Sequence, residues 1–314
     1  MSVLTDIHDP AFEEKVIRQI KADKSHFAQR QFAERSCPAC ASTERKHDCA
    51  PDGFHFQRCL RCGTLYLSPC PTEVEIIDFL NTSEGYRMWR EDMPKDVRQR
   101  REIIYRERAA LIRSLFPDGQ RLGTVLDVGA GSGEFAAHMI QLGARYIGIE
   151  PQPLPVDIPG AEIIVGTFAD AVVPDPVDVV CAFEVIEHLI DPYEFLDFAK
   201  RALKRGGKLV VTTPNNAGFE IEVLGELSHA VGFDHVAIYN VSSIALMLER
   251  AGFADVKIST PGRLDAALVE SAWSQGKITL TDEMVAKIKD PAFQAVLQAE
   301  NKSSHMCAIA TRTS

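Results

Sequence analysis

The stretch Thr124-Val-Leu-Asp-Val-Gly-Ala-Gly-Ser-Gly-Glu-Phe135 decides the fold of this chain. Val125 to Val128 is an apolar run that reads as a buried parallel strand. Gly129, Gly131 and Gly133 follow at alternating positions, and Glu134 to Leu142 then carries a helical pattern. A strand, a glycine turn and a helix form the first half of a nucleotide-binding βαβ unit. Glycines let the backbone turn sharply and approach a ligand with no Cβ in the way. The N–H groups opening the helix favour negative charge on that ligand.

The dinucleotide fingerprint requires a glycine three positions after the second glycine, and Glu134 stands there. A carboxylate facing a pyrophosphate is unfavourable, so that fingerprint fails. The spacing Asp127-x-Gly-x-Gly-x-Gly instead resembles motif I of class I S-adenosylmethionine-dependent methyltransferases. The resemblance implies that the methionine part of the cofactor lies over Gly129, Ala130, Gly131 and Gly133. Asp127 would then face its ammonium, directly or through water.

The next segments extend this reading. Tyr146 to Glu150, followed by Pro151, reads as a second strand ending in an acid 21 residues past Gly129. An acid in that place suits the two hydroxyls of a ribose. Glu162 to Val165 is a third strand. In proteins similar to this one the loop after it, with Thr167, Phe168 and Asp170, holds the adenine, and Asp170 is a candidate for the ring's amino group. Val177 to Phe183 is the fourth strand and leads into Glu184-Val-Ile-Glu187-His188-Leu189-Ile-Asp191-Pro192. That run, with Gly206-Gly207-Lys-Leu-Val-Val-Thr-Thr-Pro214-Asn215 after it, resembles the ubiquinone-biosynthesis O-methyltransferase group and its small-molecule relatives. The expected fold is therefore α/β: a Rossmann-like, seven-stranded methyltransferase sheet with helices on both faces. The resemblance places Glu184 on the cofactor. It also raises a divalent cation at Glu184, Glu187 and His188; the preferred reading leaves Glu184 on the cofactor and has His188 orient the loop or act as a base.

Upstream, Cys37-Pro-Ala-Cys40 and Cys59-Leu-Arg-Cys62-Gly63 are separated by eighteen residues. Two CxxC pairs at such spacing in a reduced chain read as a zinc ribbon with a closed, structural four-cysteine site. So small a segment needs the metal for stability. The expected organisation is a helical arm at 1–35, the ribbon at 36–72, connecting helices at 73–120 and the methyltransferase domain at 121–314. Within the arm, 11–35 reads as a polar helix, either solvated or packed. Residues 81–92 read as irregular, with Tyr86 and Trp89 either lining a substrate mouth or simply packing. Residues 94–116 read as a long amphipathic helix. A segment at about 215–240 would lid the acceptor pocket and supply His235 or Tyr239. Thr260-Pro-Gly-Arg263-Leu-Asp265 resembles a C-terminal signature of bacterial methyltransferases; Arg263 could grip an acceptor anion or pair with Asp265. A helical insertion at about 265–300 reads as two helices, and 303–311 as a last, antiparallel strand.

Composition sets the outer bounds. An apolar fraction of 46% is that of a globular chain. No apolar run nears the roughly 20 residues of a membrane span, and the N-terminus lacks the apolar core of a secretory signal. A cytoplasmic location is expected. The first 120 residues carry 19 basic and 19 acidic groups, so the rest carries the entire net charge of −10. That balance disfavours bulk nucleic-acid binding. The leading expectation is O- or C-methylation of a small acceptor such as a sugar, nucleotide sugar or glycan precursor, with His188, His235 or Tyr239 as a base. A zinc-ribbon RNA methyltransferase is the alternative, and a basic surface stripe on Arg98, Arg100, Arg101, Arg106, Arg108 and Arg113 would support it. A non-catalytic cofactor-binding protein is the third reading. Oligomeric state is not legible.

Overall fold

A computed structural model describes residues 9–25 and 32–313. The chain opens with helix α1 (Pro10–Lys24), capped by the Asp9 carboxylate, which accepts from the Phe12 N–H at 2.9 Å. Three short strands follow, β1 (Arg45–Cys49), β2 (Phe56–Cys59) and β3 (Leu65–Leu67), and then helices α2 (Glu73–Thr82), α3 (Glu84–Glu91) and α4 (Lys95–Ser114). The main domain runs β4 (Thr124–Val128), α5 (Glu134–Gln141), β5 (Arg145–Glu150), β6 (Ala161–Val165), β7 (Val177–Phe183), α6 (Pro192–Ala202) and β8 (Leu203–Pro214). It continues through α7 (Phe219–Leu224), β9 (Ala237–Ile238), α8 (Val241–Arg250), β10 (Phe253–Ser259), α9 (Ala266–Ser274), α10 (Asp282–Lys287), α11 (Pro291–Ala299) and β11 (His305–Arg312).

Seven strands form one sheet in the order β10-β11-β8-β7-β4-β5-β6. β4 pairs in parallel with both β5 and β7, while β11 runs antiparallel between β8 and β10. This is the expected methyltransferase sheet. The chain lays β5 and β6 on one side of β4 and then returns to lay β7 on the other, so the strand order reverses beside β4. Open α/β sheets keep ligands outside the carboxyl ends of strands at such a reversal. The sheet is apolar on both faces. Ala109, Ile112, Phe135, Ala136 and Met139 of α4 and α5 cover one side, and Phe195, Leu196, Ile244 and Met247 of α6 and α8 cover the other.

Several expectations shift. α1 ends at Lys24; the rest of the anticipated 11–35 helix falls partly outside the described residues, and 32–35 are not helical. The arm is packed, not solvated: Glu13, Val16 and Lys24 are all buried. The stretch read as irregular holds α3, started by Ser83, whose hydroxyl accepts from the Tyr86 N–H at 3.3 Å. The insertion holds three helices instead of two, because Thr281 and Asp290 each cap a fresh N-terminus.

The cysteine-rich segment is not a free-standing module. Its sheet has the order β1-β2-β3-β9, and β9 comes from the far end of the 215–240 segment. Leu65 pairs with Ile238 and Tyr66 with Ala237. Phe54, Phe56, Leu65 and Leu67 of the ribbon share one core with Ile76 and Phe79 of α2 and with Val231, Phe233, Val236 and Ile238.

Candidate functional site

At the carboxyl ends of β4, β5 and β7 lies a cavity of about 660 Å³. Val16, Ile17 and Ile20 of α1 roof it, α3 and α4 form one wall, and the glycine turn forms its floor. Gly129 and Gly131 adopt φ of +80° and +60°, a region open mainly to glycine. A Cβ on Gly129 would stand 2.5 Å from Val185 Cγ2, whereas a Cβ on Gly131 would meet nothing within 4 Å. The first glycine is thus required by packing and the second leaves backbone bare toward the cavity. Glu134, the residue that spoils a pyrophosphate site, is neutralised by Arg98 at 2.6 Å and accepts from the Ser132 hydroxyl at 2.6 Å.

Asp127 is 2% exposed and lines the cavity. Its carboxylate accepts from the Tyr146 hydroxyl at 2.6 Å and from the Cys181 thiol at 3.5 Å. Burial drives its pKa up to about 6, against the pull of these hydrogen bonds. Glu150 also lines the cavity and accepts from the Gly131 N–H at 2.9 Å, so the strand-ending acid is tied to the glycine turn. Burial raises its pKa too. Ala130, Pro151, Thr167 and Phe168 border the same space. Gly133 starts α5 in the left-handed region instead of facing the cavity, and its missing Cβ makes room for Ile158. Asp170 is exposed, accepts from the Thr167 hydroxyl at 3.2 Å and does not line the cavity.

Glu184 stands at the end of β7 with φ +60°, a strained value for a non-glycine residue. It accepts from Thr212 Oγ1 at 2.6 Å and faces His305 Nε2 at 3.2 Å and Arg108 Nη2 at 3.5 Å. Burial opposes ionisation, but His305, Arg108 and Thr212 outweigh it and hold the pKa down to about 2. His305, in turn, is raised by Glu184 despite its burial. Neither His305 nor Arg108 is legible from the sequence as a partner of Glu184, because β11 and α4 lie far from it along the chain.

Glu187 is fully buried. One oxygen accepts from Thr213 Oγ1 at 3.0 Å and the other, Oε1, has no partner among the described residues. Burial, and then the charge of Glu184, drive its pKa well up. His188 Nδ1 lies 2.7 Å from the Asp234 carbonyl, and His235 Nδ1 lies 2.8 Å from the Ala230 carbonyl. A carbonyl can only accept, so both Nδ1 atoms carry the proton; His188 Nε2 is then the lone-pair face of a neutral ring, while His235 Nε2 stands 3.7 Å from Asp234 Oδ2. The two rings lie 4.8 Å apart. Burial, and then His235, pull the His188 pKa down to about 4. Asp234 links this pair to the roof: it accepts from Tyr86 at 2.6 Å and pairs with Lys24 of α1 at 3.0 Å.

The sequence groups Glu184 with Glu187 and His188 as a cation site. The structure brings Glu187, His188 and His235 together instead, with candidate ligand atoms within 4.8 Å of one another; Glu184 is engaged by His305 and Thr212. Tyr239 is displaced from the acceptor role: it is fully buried beneath the cysteine cluster and does not line the cavity. Burial pushes its pKa up, so it is a poor base there. Arg263 lines the cavity but pairs with Glu107 at 2.7 Å, not with Asp265, which caps α9.

Cys37, Cys40, Cys59 and Cys62 converge with their sulfurs within 4.8 Å of one another. The pairs Cys37–Cys62 and Cys40–Cys59 stand at 3.5 Å. A tetrahedron with Zn–S bonds of about 2.3 Å separates its sulfurs by roughly 3.8 Å, so the donor set fits zinc. Each knuckle ends in a left-handed residue, Ala41 and Gly63, with φ of +58° and +75°. A Cβ on Gly63 would meet Asn240 Nδ2 at 2.8 Å, and that amide donates to the Cys62 carbonyl at 3.0 Å.

Residues 97–258 match the family profile described as "Methyltransferase domain". A Mycolicibacterium smegmatis protein named "Probable S-adenosylmethionine-dependent methyltransferase" is 34% identical over 135 residues, 41% of this chain and 51% of that protein. A tRNA U34 carboxymethyltransferase of Hahella chejuensis is 33% identical over 152 residues, 44% of this chain and 47% of that protein. The chain thus spans about half the length of these curated relatives. Among solved structures, a Burkholderia thailandensis 1,6-didemethyltoxoflavin-N1-methyltransferase aligns with a TM-score of 0.49 at 13% identity, over 81% of this chain and 98% of that one.

Proposed function

Because this chain belongs to the methyltransferase domain family, we propose that it transfers a methyl group from S-adenosylmethionine to a small-molecule acceptor. The observation that carries this reading is the convergence of Asp127, the bare Gly131 backbone, Glu150 and Glu184 on one cavity. Asp127 would take the cofactor's ammonium. Glu150, which holds the glycine turn through one oxygen, would take the ribose. The cofactor supplies an already activated methyl group. The protein's task is then to align the nucleophile and exclude water, and positioning supplies much of the rate. The apolar side chains of α1 would help to exclude water, and the His188 Nε2 lone pair, with the His235 ring beside it, can accept the proton of a hydroxyl or carbon acid. The Asp234 carbonyl positions the His188 ring and the Ala230 carbonyl positions the His235 ring. We read the acceptor as one methylated on oxygen or carbon, in line with a sugar, nucleotide sugar or glycan precursor.

We further propose that the four cysteines hold zinc, and that the metal braces the segment carrying Asp234 and His235. The RNA reading is weakened, since Arg98, Arg101 and Arg108 of the anticipated stripe line the cavity, leaving Arg106 exposed; the Arg100 side chain lies outside what is described. Glu187, His188 and His235 also suit a divalent cation, which would use the same lone pairs. Titrating the zinc-loaded protein with S-adenosylhomocysteine tests the cofactor reading: micromolar binding supports it, and no binding refutes it. Methyl transfer to a panel of sugars and nucleotide sugars, with and without added Mn²⁺, then tests the acceptor and separates the base from the cation.

A further inference from the structure

We propose that the acceptor carries an anionic group, a carboxylate or a phosphate, and that Arg101 on the cavity face of α4 binds it. This rests on the methyl-transfer reading. Most cavity arginines have counter-ions: Arg90 has Glu91 at 3.1 Å, Arg98 has Glu134 at 2.6 Å and Arg263 has Glu107 at 2.7 Å. Arg101 has neither a hydrogen bond nor an ion pair among the described residues, and its Nε is buried without a partner. Its guanidinium lies over the Trp89 ring, 4.9 Å from the centroid. Tyr105 and then Glu13 of α1, which line the same space, add to the field that favours its charge.

Arg101 is half-buried, with its Nε cut off from any acceptor among the described residues; a cation so placed is stabilised by an anion that reaches that edge, and an aromatic face offsets only part of the desolvation. Arg108 is the second cation short of a full partner. It stacks on Phe183 at 4.5 Å and reaches Glu184 only at 3.5 Å, and Glu184 also faces His305. One protein carboxylate is therefore divided between two cations, and the third, Arg101, forms no ion pair among the described residues and has Glu13 only as a neighbour in the same cavity. S-adenosylmethionine brings a single carboxylate, along with two positive groups of its own, so it can satisfy at most one of the two arginines. Arg108 lies beside Glu184 at the end of β7, and its field reaches Asp127. The cofactor's carboxylate belongs with Arg108 on that ground. Arg101, seven residues and about two turns away on the same helix face, lies beneath α1 against Trp89. A guanidinium offers a planar fork that suits carboxylate and phosphate alike.

The test uses the full-length, zinc-loaded protein saturated with S-adenosylhomocysteine. Inorganic phosphate and malonate are titrated separately, with tryptophan fluorescence reporting on Trp89 and calorimetry on binding; the stronger probe identifies the anion class. Saturable binding, weakened at least tenfold by Arg101→Gln and less by Arg101→Lys, is expected. The affinity for S-adenosylhomocysteine should change less than threefold, and exposed Arg106→Gln should behave as wild type. The proposal is overturned if neither anion binds the loaded protein, or if Arg101→Gln removes S-adenosylhomocysteine binding while anion binding persists. If the wild type binds no S-adenosylhomocysteine at all, it is the methyl-transfer reading that fails.

Discussion

Replacing Asp127 by asparagine should make the protein more stable and its cofactor binding weaker, and these opposite signs separate a functional carboxylate from a structural one. Asp127 is 2% exposed, and its pKa is raised from 3.8 to about 6. A shift of that size corresponds to about 3 kcal/mol by which the ionised group destabilises the fold at neutral pH. A carboxylate with a raised folded-state pKa contributes stability that is complete below the unfolded value of 3.8 and is lost as pH rises through about 6. Asparagine retains an oxygen for the Tyr146 hydroxyl and carries no charge. Its advantage over wild type should therefore grow by about 1.4 kcal/mol between pH 5 and 7.5 by linkage, less whatever the weakened Tyr146 hydrogen bond costs. Urea unfolding of both proteins without cofactor, at both pH values, measures this. Calorimetry should show S-adenosylhomocysteine binding weakened roughly 100-fold, the scale of a lost charge-assisted contact of about 3 kcal/mol. A variant that is less stable at pH 7.5, yet binds the nucleoside as well as wild type, would refute the assignment.

Further outcomes follow from other contacts. Cofactor affinity in the wild type should fall about tenfold per pH unit below about 6 as Asp127 protonates; a flat calorimetric profile between pH 5 and 8 would contradict this. Because His188 is held down to about 4, its own protonation should leave the rate unchanged over that same range, while His188→Asn should lower kcat by roughly 10²- to 10⁴-fold if the acceptor loses a proton. Lys24→Met leaves the Asp234 carboxylate buried with its cation gone, which should destabilise by about 3–5 kcal/mol, read as a lowered urea midpoint. If the four cysteines hold zinc as proposed, a chelator, or Cys59→Ser, should unfold the cysteine segment and abolish methyl transfer, while S-adenosylhomocysteine binding weakens less.

The parts of the site that are legible in the sequence lie within single contiguous motifs. The strand–glycine–helix run, the acid ending β5 and the two CxxC pairs announce themselves because residue type and spacing are both local. What stays hidden depends on distant pairing. His305 sits on the last strand, and its register opposite Pro214 puts it beside Glu184; no local pattern encodes that. β9 has two residues, too few to show a period, so its union with β3 is invisible until the chain is folded. Arg98, Arg101 and Arg108 recur at spacings of three and seven, which does mark one face of a helix. The charge on that face suggests an outer surface, whereas the face turns inward over the cavity. Tyr239 misleads for a related reason: a polar aromatic in a lid segment reads as a site residue until the packing on both sides of it is known.

The shared sheet also fixes how this protein can be recombined. Residues 36–72 look like a cassette that could be exchanged among relatives, but β3 finishes its pairing on a strand supplied from position 237 onward. A chimera cut only at the cassette's ends would leave one parent's edge strand against another parent's partner. The heritable unit is therefore discontinuous: the cysteine-knuckle segment travels intact only with the stretch 231–239, and with it His235, which lines the cavity.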